Sequence, residues 1–139
     1  DRPAGYFLSA PEAKQVDLAF APGQMLVFRL RANPIVKREG KRLGLFREED
    51  QFAWLARKSE AGGFQIRQEN VRITDMGFMR GRTQSDHSIS LYAVQFDGLL
   101  QVVDPDTFLA TVWGGVGPGK GMGFGLLSVA PLRWGENYA

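Results

Sequence analysis

The sequence predicts one α+β domain whose elements run strand, helix, strand, strand, helix, strand. Three observations carry this. Apolar residues alternate with polar ones, the period of a half-buried strand, over Gln24 to Arg31, Phe64 to Ile73 and Ser88 to Phe96. Two other segments space their apolar residues at helical intervals: Phe52, Leu55 and Ala56, then Phe108, Leu109, Val112 and Trp113. The length, 139 residues, suits a single domain with a modest core.

Val16, Leu18 and Phe20 alternate with Asp17 and Ala19, and Ala21-Pro22-Gly23 makes a turn. In the strand from Gln24, Leu26, Phe28 and Leu30 form the core face, so Arg29 and Arg31 point away from it. Those arginines either solubilise an exposed sheet face or touch an RNA backbone. Asn33-Pro34 ends the strand. A basic loop follows, with Lys37, Arg38, Lys41 and Arg42 around Glu39-Gly40. Glu48, Glu49 and Asp50 suit the positive end of a helix, and Gly62-Gly63 stops it. Without a partner group in view, the paired glutamates belong to the helix start rather than to acid/base chemistry.

After the strand from Phe64, Asp75-Met76-Gly77 reads as a turn. The polar stretch from Phe78 to His87 and the strand from Ser88 make a hairpin whose tip carries Arg80, Arg82 and His87. A basic tip of this kind clamps a nucleic-acid backbone or lies solvated. Leu99 to Val103 continues the sheet. Asp104 is a cap residue with Pro105 at the first helical position. Trp113 either stacks a base or packs in the core, and packing is the expectation. This order of elements is the split βαβ, or ferredoxin-like, arrangement.

Composition narrows the chemistry. Hydrophobic content of 44% and charged content of 23% are those of a globular protein. With no cysteine there is no disulfide or thiolate metal site, and one histidine makes no metal cluster. No cofactor is implied. No apolar run is long enough to span a membrane and no signal peptide is evident, so the expected location is cytoplasmic. The net charge of +2 permits an RNA partner without demanding one. The chain begins at Asp1 rather than Met, as a fragment would.

The chain is organised around Gly114 to Gly125, a glycine run that holds Lys120 and leads into the apolar strand Leu126 to Leu132. A run of glycine needs a reason. Its N–H groups can cradle an anion beside Lys120, or a bulky partner needs bare backbone. A flexible linker is usually polar and Gly/Ser-rich, whereas here Val116, Met122 and Phe124 interleave. A Walker A loop fails, because Gly121 follows Lys120 where a hydroxyl is required. The context, helix before and strand after, is also reversed.

Gly115-Val116-Gly117, five residues, then Gly123-Phe124-Gly125 resembles the G-h-G-x5-G-h-G signature of the RAMP superfamily of CRISPR-associated RNA-binding proteins. The stretch GVGPGKGMGFGLLSVAPL resembles the C-terminal end of the CasE-type endoribonuclease of Cascade. The segments Phe28 to Pro34, Glu48 to Leu55 and Phe96 to Leu100 resemble that family in the same order. The resemblance covers Gln24 to Leu132.

It implies a ferredoxin-like (RRM-like) domain, the second of two, at residues 24–132. Residues 1–23 are then a leading segment from a missing N-terminal domain, and 133–139 a loose tail. It further implies cleavage of CRISPR precursor RNA without metal, by attack of a ribose 2′-OH, with the principal histidine in the N-terminal domain. This chain's His87 does not match that motif, so no catalytic residue is assigned and the chain's own enzyme status stays open. Expected partners are the CRISPR repeat hairpin RNA and other Cascade subunits. Expected RNA contacts are Arg80, Arg82, His87, Gly119, Lys120, Gly121, Arg29 and Arg31. The alternative is a stand-alone, non-catalytic RNA-binding or protein-interaction module.

Overall fold

Strand β1 (Met25–Ala32) is the centre of the computed structural model, which describes residues 19–82, 88–118 and 124–132. Its alternation gives it one face to bury and two edges to pair. Leu26, Phe28 and Leu30 are buried as predicted. The chain continues through β2 (Ile35–Arg38), β3 (Lys41–Gly44), α1 (Glu48–Ala61), β4 (Phe64–Arg82), β5 (Ser88–Val102), α2 (Pro105–Gly114) and β6 (Leu127–Pro131). One four-stranded sheet has the order β4-β5-β1-β6, antiparallel throughout, and β2 and β3 form a separate hairpin.

Each helix is a crossover. α1 carries the chain from β1 to β4, past β5, and α2 carries it from β5 to β6, past β1. Side chains of both helices and of all four sheet strands meet in one core cluster. An antiparallel sheet with two helices in this mixed order is consistent with the ferredoxin-like fold.

The helices form for local reasons. Glu48, Glu49 and Asp50 occupy the first turn of α1, and the Gly62 N–H closes its end on the Lys58 and Ser59 carbonyls. The Asp104 carboxylate accepts from the Thr107 N–H at 3.3 Å, and Pro105 opens α2. The Thr111 hydroxyl donates to the Gly62 carbonyl at 2.9 Å, tying the two helix ends together. Trp54 stacks on Phe96 with centroids 6.1 Å apart, and Phe64 meets Phe108 edge-on at 5.6 Å.

Four local expectations change. The basic loop is the β2–β3 hairpin, closed by Glu39 and Gly40 with φ of 51° and 78°. Two consecutive positive φ values are the pattern of a type I′ turn. Asp75 to Gly77 is a register shift inside a 19-residue strand rather than a turn. The buried stripe of α1 is Gln51, Trp54, Leu55 and Ser59, with Phe52 and Ala56 only half-buried. Trp113 is 41% exposed rather than buried in the core, because Phe108 and Val112 take the inward face of α2. The alternation over Val16 and Leu18 and the tail 133–139 lie outside the described residues.

Candidate nucleic-acid interface

Three segments leave the sheet at one end, and they carry most of the candidate cations. β1 pairs with β5 only as far as Ala32↔Val94. Beyond that point β4 and β5 continue as a two-stranded arm, from Gly77↔Ala93 to Arg82↔Ser88. The β2–β3 hairpin departs from the same end of β1 through Asn33-Pro34. Asn33 is buried, and its side-chain amide donates to the Tyr92 carbonyl at 2.8 Å, fixing this exit against the arm. The glycine loop enters β6 there too, since Leu127 pairs with Leu30.

A bulge aims the arm. Gly77 has φ of 73°, and its N–H donates to the Asp75 carboxylate at 2.7 Å. The register slips by one residue between Asp75↔Val94 and Gly77↔Ala93. A slip of one residue moves every later side chain to the other face. Phe78 therefore sits opposite Tyr92, with centroids 5.4 Å apart, and Arg80 sits opposite Ser90 on the same side. Phe46 covers Tyr92 edge-on at 4.7 Å. Phe46 and Phe78 are 58% and 66% exposed, an aromatic base beneath the basic arm. Among the described residues no ion pair engages Arg80, which is exposed. Arg82 pairs with Ser88 in the ladder, and His87 lies outside the described residues.

Tyr92 and Asp75 bind each other. Burial, and then the hydrogen bond to Asp75, push the Tyr92 phenol above its ordinary range. The same bond, with the Gly77 N–H, holds the Asp75 carboxyl below its own.

The glycine loop is a clasp at its base. The Val116 N–H donates to the Gly125 carbonyl at 2.7 Å, and the Gly125 N–H donates to the Arg31 carbonyl at 2.8 Å. Val116 and Phe124, the hydrophobic members of the two G-h-G motifs, are both buried. Gly125 has φ of 84°, and a Cβ there would collide with the Val116 backbone oxygen. Gly117 has φ of 79°, and a Cβ there would lie 2.7 Å from Trp54 Cζ2. Gly115, with φ of 84°, caps α2 through its N–H to the Thr111 carbonyl. Gly117 and Gly125 thus serve packing, and Gly115 ends the helix. Gly123 and the expected cradle, Gly119, Lys120 and Gly121, lie outside the described residues.

The expected face contacts are differently placed. Arg29 Nε meets Asp97 Oδ1 at 2.7 Å, and the Gln95 amide donates to the same carboxylate at 2.9 Å. Arg31 is exposed, opposite Gln95 in the ladder. Sequence reading missed Phe46, Phe78 and Lys58. The sequence carried no signal for Phe78, because its place follows from the register shift at Gly77.

The sequence pattern of the CRISPR associated protein family matches residues 7–131. The chain belongs to the CRISPR associated protein family. It is 44% identical over 124 residues to the CRISPR-associated endoribonuclease Cse3 of Thermus thermophilus, covering 81% of this chain and 59% of that protein. It is 35% identical over 138 residues to the CRISPR system Cascade subunit CasE of Escherichia coli, covering 87% and 65%. Cse3 solved bound to a 19 nt RNA superposes with a TM-score of 0.73 at 44% identity, over 81% of this chain and 59% of that one. The chain thus spans about three fifths of the length of the curated relatives it matches. Among the described residues, no helix is long and apolar enough to cross a membrane, and no group of His, Asp and Glu is arranged to hold a metal.

Proposed function

We propose that this chain is the C-terminal, RNA-binding and Cascade-docking part of a CRISPR precursor-RNA endoribonuclease. The observation that carries this is the gathering of the arm, the basic hairpin and the glycine clasp at one end of the sheet. A relative 44% identical to the chain is named an endoribonuclease and has been solved with RNA bound.

In this reading residues 24–132 are the second of two ferredoxin-like domains, 1–23 lead in from the first, and 133–139 are a tail. Arg80, Arg82 and His87 grip the stem of the repeat hairpin. Lys120, with the N–H groups around Gly119 and Gly121, meets backbone phosphate beyond the clasp. Arg31 touches RNA from the sheet face, with Arg29 steered by Asp97. The protein works in the cytoplasm and stays with the mature guide RNA in Cascade. Cleavage proceeds without metal. The 2′-OH attacks the adjacent phosphorus, the bond to the 5′-oxygen breaks, and a 2′,3′-cyclic phosphate and a 5′-OH remain. The N-terminal part supplies the histidine that moves the proton.

The test is to incubate the 139-residue chain, in chelator, with a labelled repeat hairpin. Weak binding without cleavage is expected, with cleavage restored when the N-terminal part is present. Site-specific product ending in a cyclic phosphate, abolished by His87→Ala, would overturn the assignment of catalysis to the missing part.

A further inference from the structure

The basic β2–β3 hairpin is not absorbed by the arm or the clasp. Between it, α1 and the glycine loop lies a groove of about 420 Å³, lined by Lys37, Arg42, Trp54, Lys58, Gly117 and Pro118, with Ile35 at its edge. We propose that this groove is a separate binding site for an RNA backbone phosphate. The inference rests on the RNA-binding reading above.

The hairpin pairs cation against cation. Lys37 stands opposite Arg42, and Arg38 opposite Lys41. Like charges directly across a ladder destabilise it, and a two-stranded hairpin is marginal by itself. Among the described residues, no ion pair engages Lys37, Arg42 or Lys58, and none of the groove's lining residues is acidic. The whole chain carries only +2, so three cations in one groove are a local concentration. A phosphodiester between Lys37 and Arg42 turns their repulsion into two attractions.

The third cation comes from another element. Lys58 Nζ lies 5.8 Å from the centroid of the Trp54 ring, and Trp54 is itself held against Phe96. A lysine in the last turn of a helix also suits the helix's negative end, so the opposed pair on the hairpin carries the proposal and Lys58 completes it. Gly117 shapes the wall. No side chain fits there against Trp54, so the loop passes close over the indole and leaves the groove open to a ligand. A larger groove of about 590 Å³, beside the α2 N-terminus, shows the opposite character. It is lined by Glu60 and Asp104 and by no described cation, and so repels phosphate. None of the phosphate groove's lining residues lies on β4 or β5, so the site is distinct from the arm.

The test measures binding of the 139-residue chain to the repeat hairpin over a salt series, with and without single-stranded flanks. Lys37→Gln with Arg42→Gln should weaken binding at low salt by about tenfold. It should also make the log–log salt dependence shallower by about two contacts. Loss on both RNAs places the phosphate in the stem, and loss on the flanked RNA alone places it in the flank. The charge-matched Arg67→Gln with Arg72→Gln, on β4 and outside the groove's lining, should do neither. Lys37→Arg with Arg42→Lys should restore binding. Both wild-type side chains are exposed and opposed, so the neutralised hairpin should melt no lower than wild type. Affinity and salt slope matching the charge-matched control would overturn the site while leaving the RNA-binding reading intact. Equal losses on heparin and on RNA would reduce it to general charge attraction. Failure of the wild type to bind either RNA would remove the broader reading and this site with it.

Discussion

Replacing the glycines of the clasp separates packing from phosphate binding. At Gly117 an alanine must adopt φ near 79° and place a Cβ 2.7 Å from Trp54 Cζ2 and 3.0 Å from Cη2. Trp54 cannot retreat, because it is 2% exposed and stacked on Phe96. Left-handed backbone costs a non-glycine residue about 1–3 kcal/mol, and overpacking a filled core costs about 1–3 kcal/mol. Gly117→Ala should therefore lose about 2–6 kcal/mol, a large share of the roughly 5–15 kcal/mol that holds a domain together. At Gly125 the obstacle is backbone, the Val116 carbonyl, and two hydrogen bonds run through the residue. Strain of about 1–3 kcal/mol and two bonds worth about 0.5–1.5 kcal/mol each give a similar loss. Gly114 is the internal control. It ends α2, has nothing within 4 Å of its Cβ position and is not among the positive-φ glycines, so Gly114→Ala should be neutral or slightly stabilising. Thermal melts followed by circular dichroism report all three. Each lost kcal/mol lowers the midpoint of a domain this size by about 3–4 °C. The first two variants should thus melt at least about 6 °C below wild type. If Gly117→Ala and Gly125→Ala melt like wild type but lose RNA affinity, the motif glycines serve close approach of a ligand and the clasp reasoning is wrong.

Lys120→Ala should weaken hairpin RNA binding across all sequences and flatten its salt dependence by about one phosphate contact; fluorescence anisotropy over a salt series checks both. Arg80→Ala with Arg82→Ala should cost more affinity for a hairpin than for an unstructured strand in the same assay, whereas equal losses would mean generic attraction. The Asp104 carboxyl is held below its usual range by the Thr107 hydroxyl and N–H, so its contribution to stability is present above the unfolded carboxyl pKa. It is lost as pH falls through the folded value. Asp104→Asn should therefore lower stability in the neutral region and flatten the acid limb of a stability-against-pH curve, so that variant and wild type converge in acid.

The legible parts of this fold were those that local chemistry dictates. The alternation of Leu26, Phe28 and Leu30 fixed the central strand, and Asp104-Pro105 fixed the start of α2. Hydrophobic pattern failed where a polar residue takes a core position. Gln51 is buried on α1 because its amide donates to the Leu45 carbonyl at 3.0 Å, and that bond joins residues on either side of the helix start. The β2–β3 turn was obscured because Glu39 adopts positive φ, a conformation its residue type does not advertise. Gly77 misled in the opposite sense, since a bulge and a turn both recruit glycine for positive φ, and only pairing across to β5 tells them apart. At the candidate site the cations were visible one by one. Their gathering at one sheet end was not, because it follows from strand order and register. The glycine motif was legible as a motif, while the burial of Val116 and Phe124 within it was not.

The two perturbed groups at the root of the arm bear on whether this chain cuts or holds. General acid/base catalysis works best with a group whose pKa lies near the operating pH. Burial and Asp75 carry the Tyr92 phenol further above neutrality, and Tyr92 with Gly77 carries the Asp75 carboxyl further below it. Each group keeps one protonation state across the working range: Tyr92 as donor, Asp75 as acceptor. A fixed donor and a fixed acceptor make a strut. This strut joins the two sides of the bulge that sets the direction of Phe78 and Arg80. Asp75→Asn should accordingly bring the Tyr92 phenol back toward its ordinary range, read as the difference in phenolate absorbance between Asp75→Asn alone and with Tyr92→Phe added. It should also loosen the grip on a hairpin more than the grip on a single strand, because the arm loses its aim while its cations are kept and one nearby carboxylate is removed. A Tyr92 phenol that does not move, with unaltered hairpin affinity, would show that the bulge is held by its backbone alone and that the pair has no part in aiming the arm.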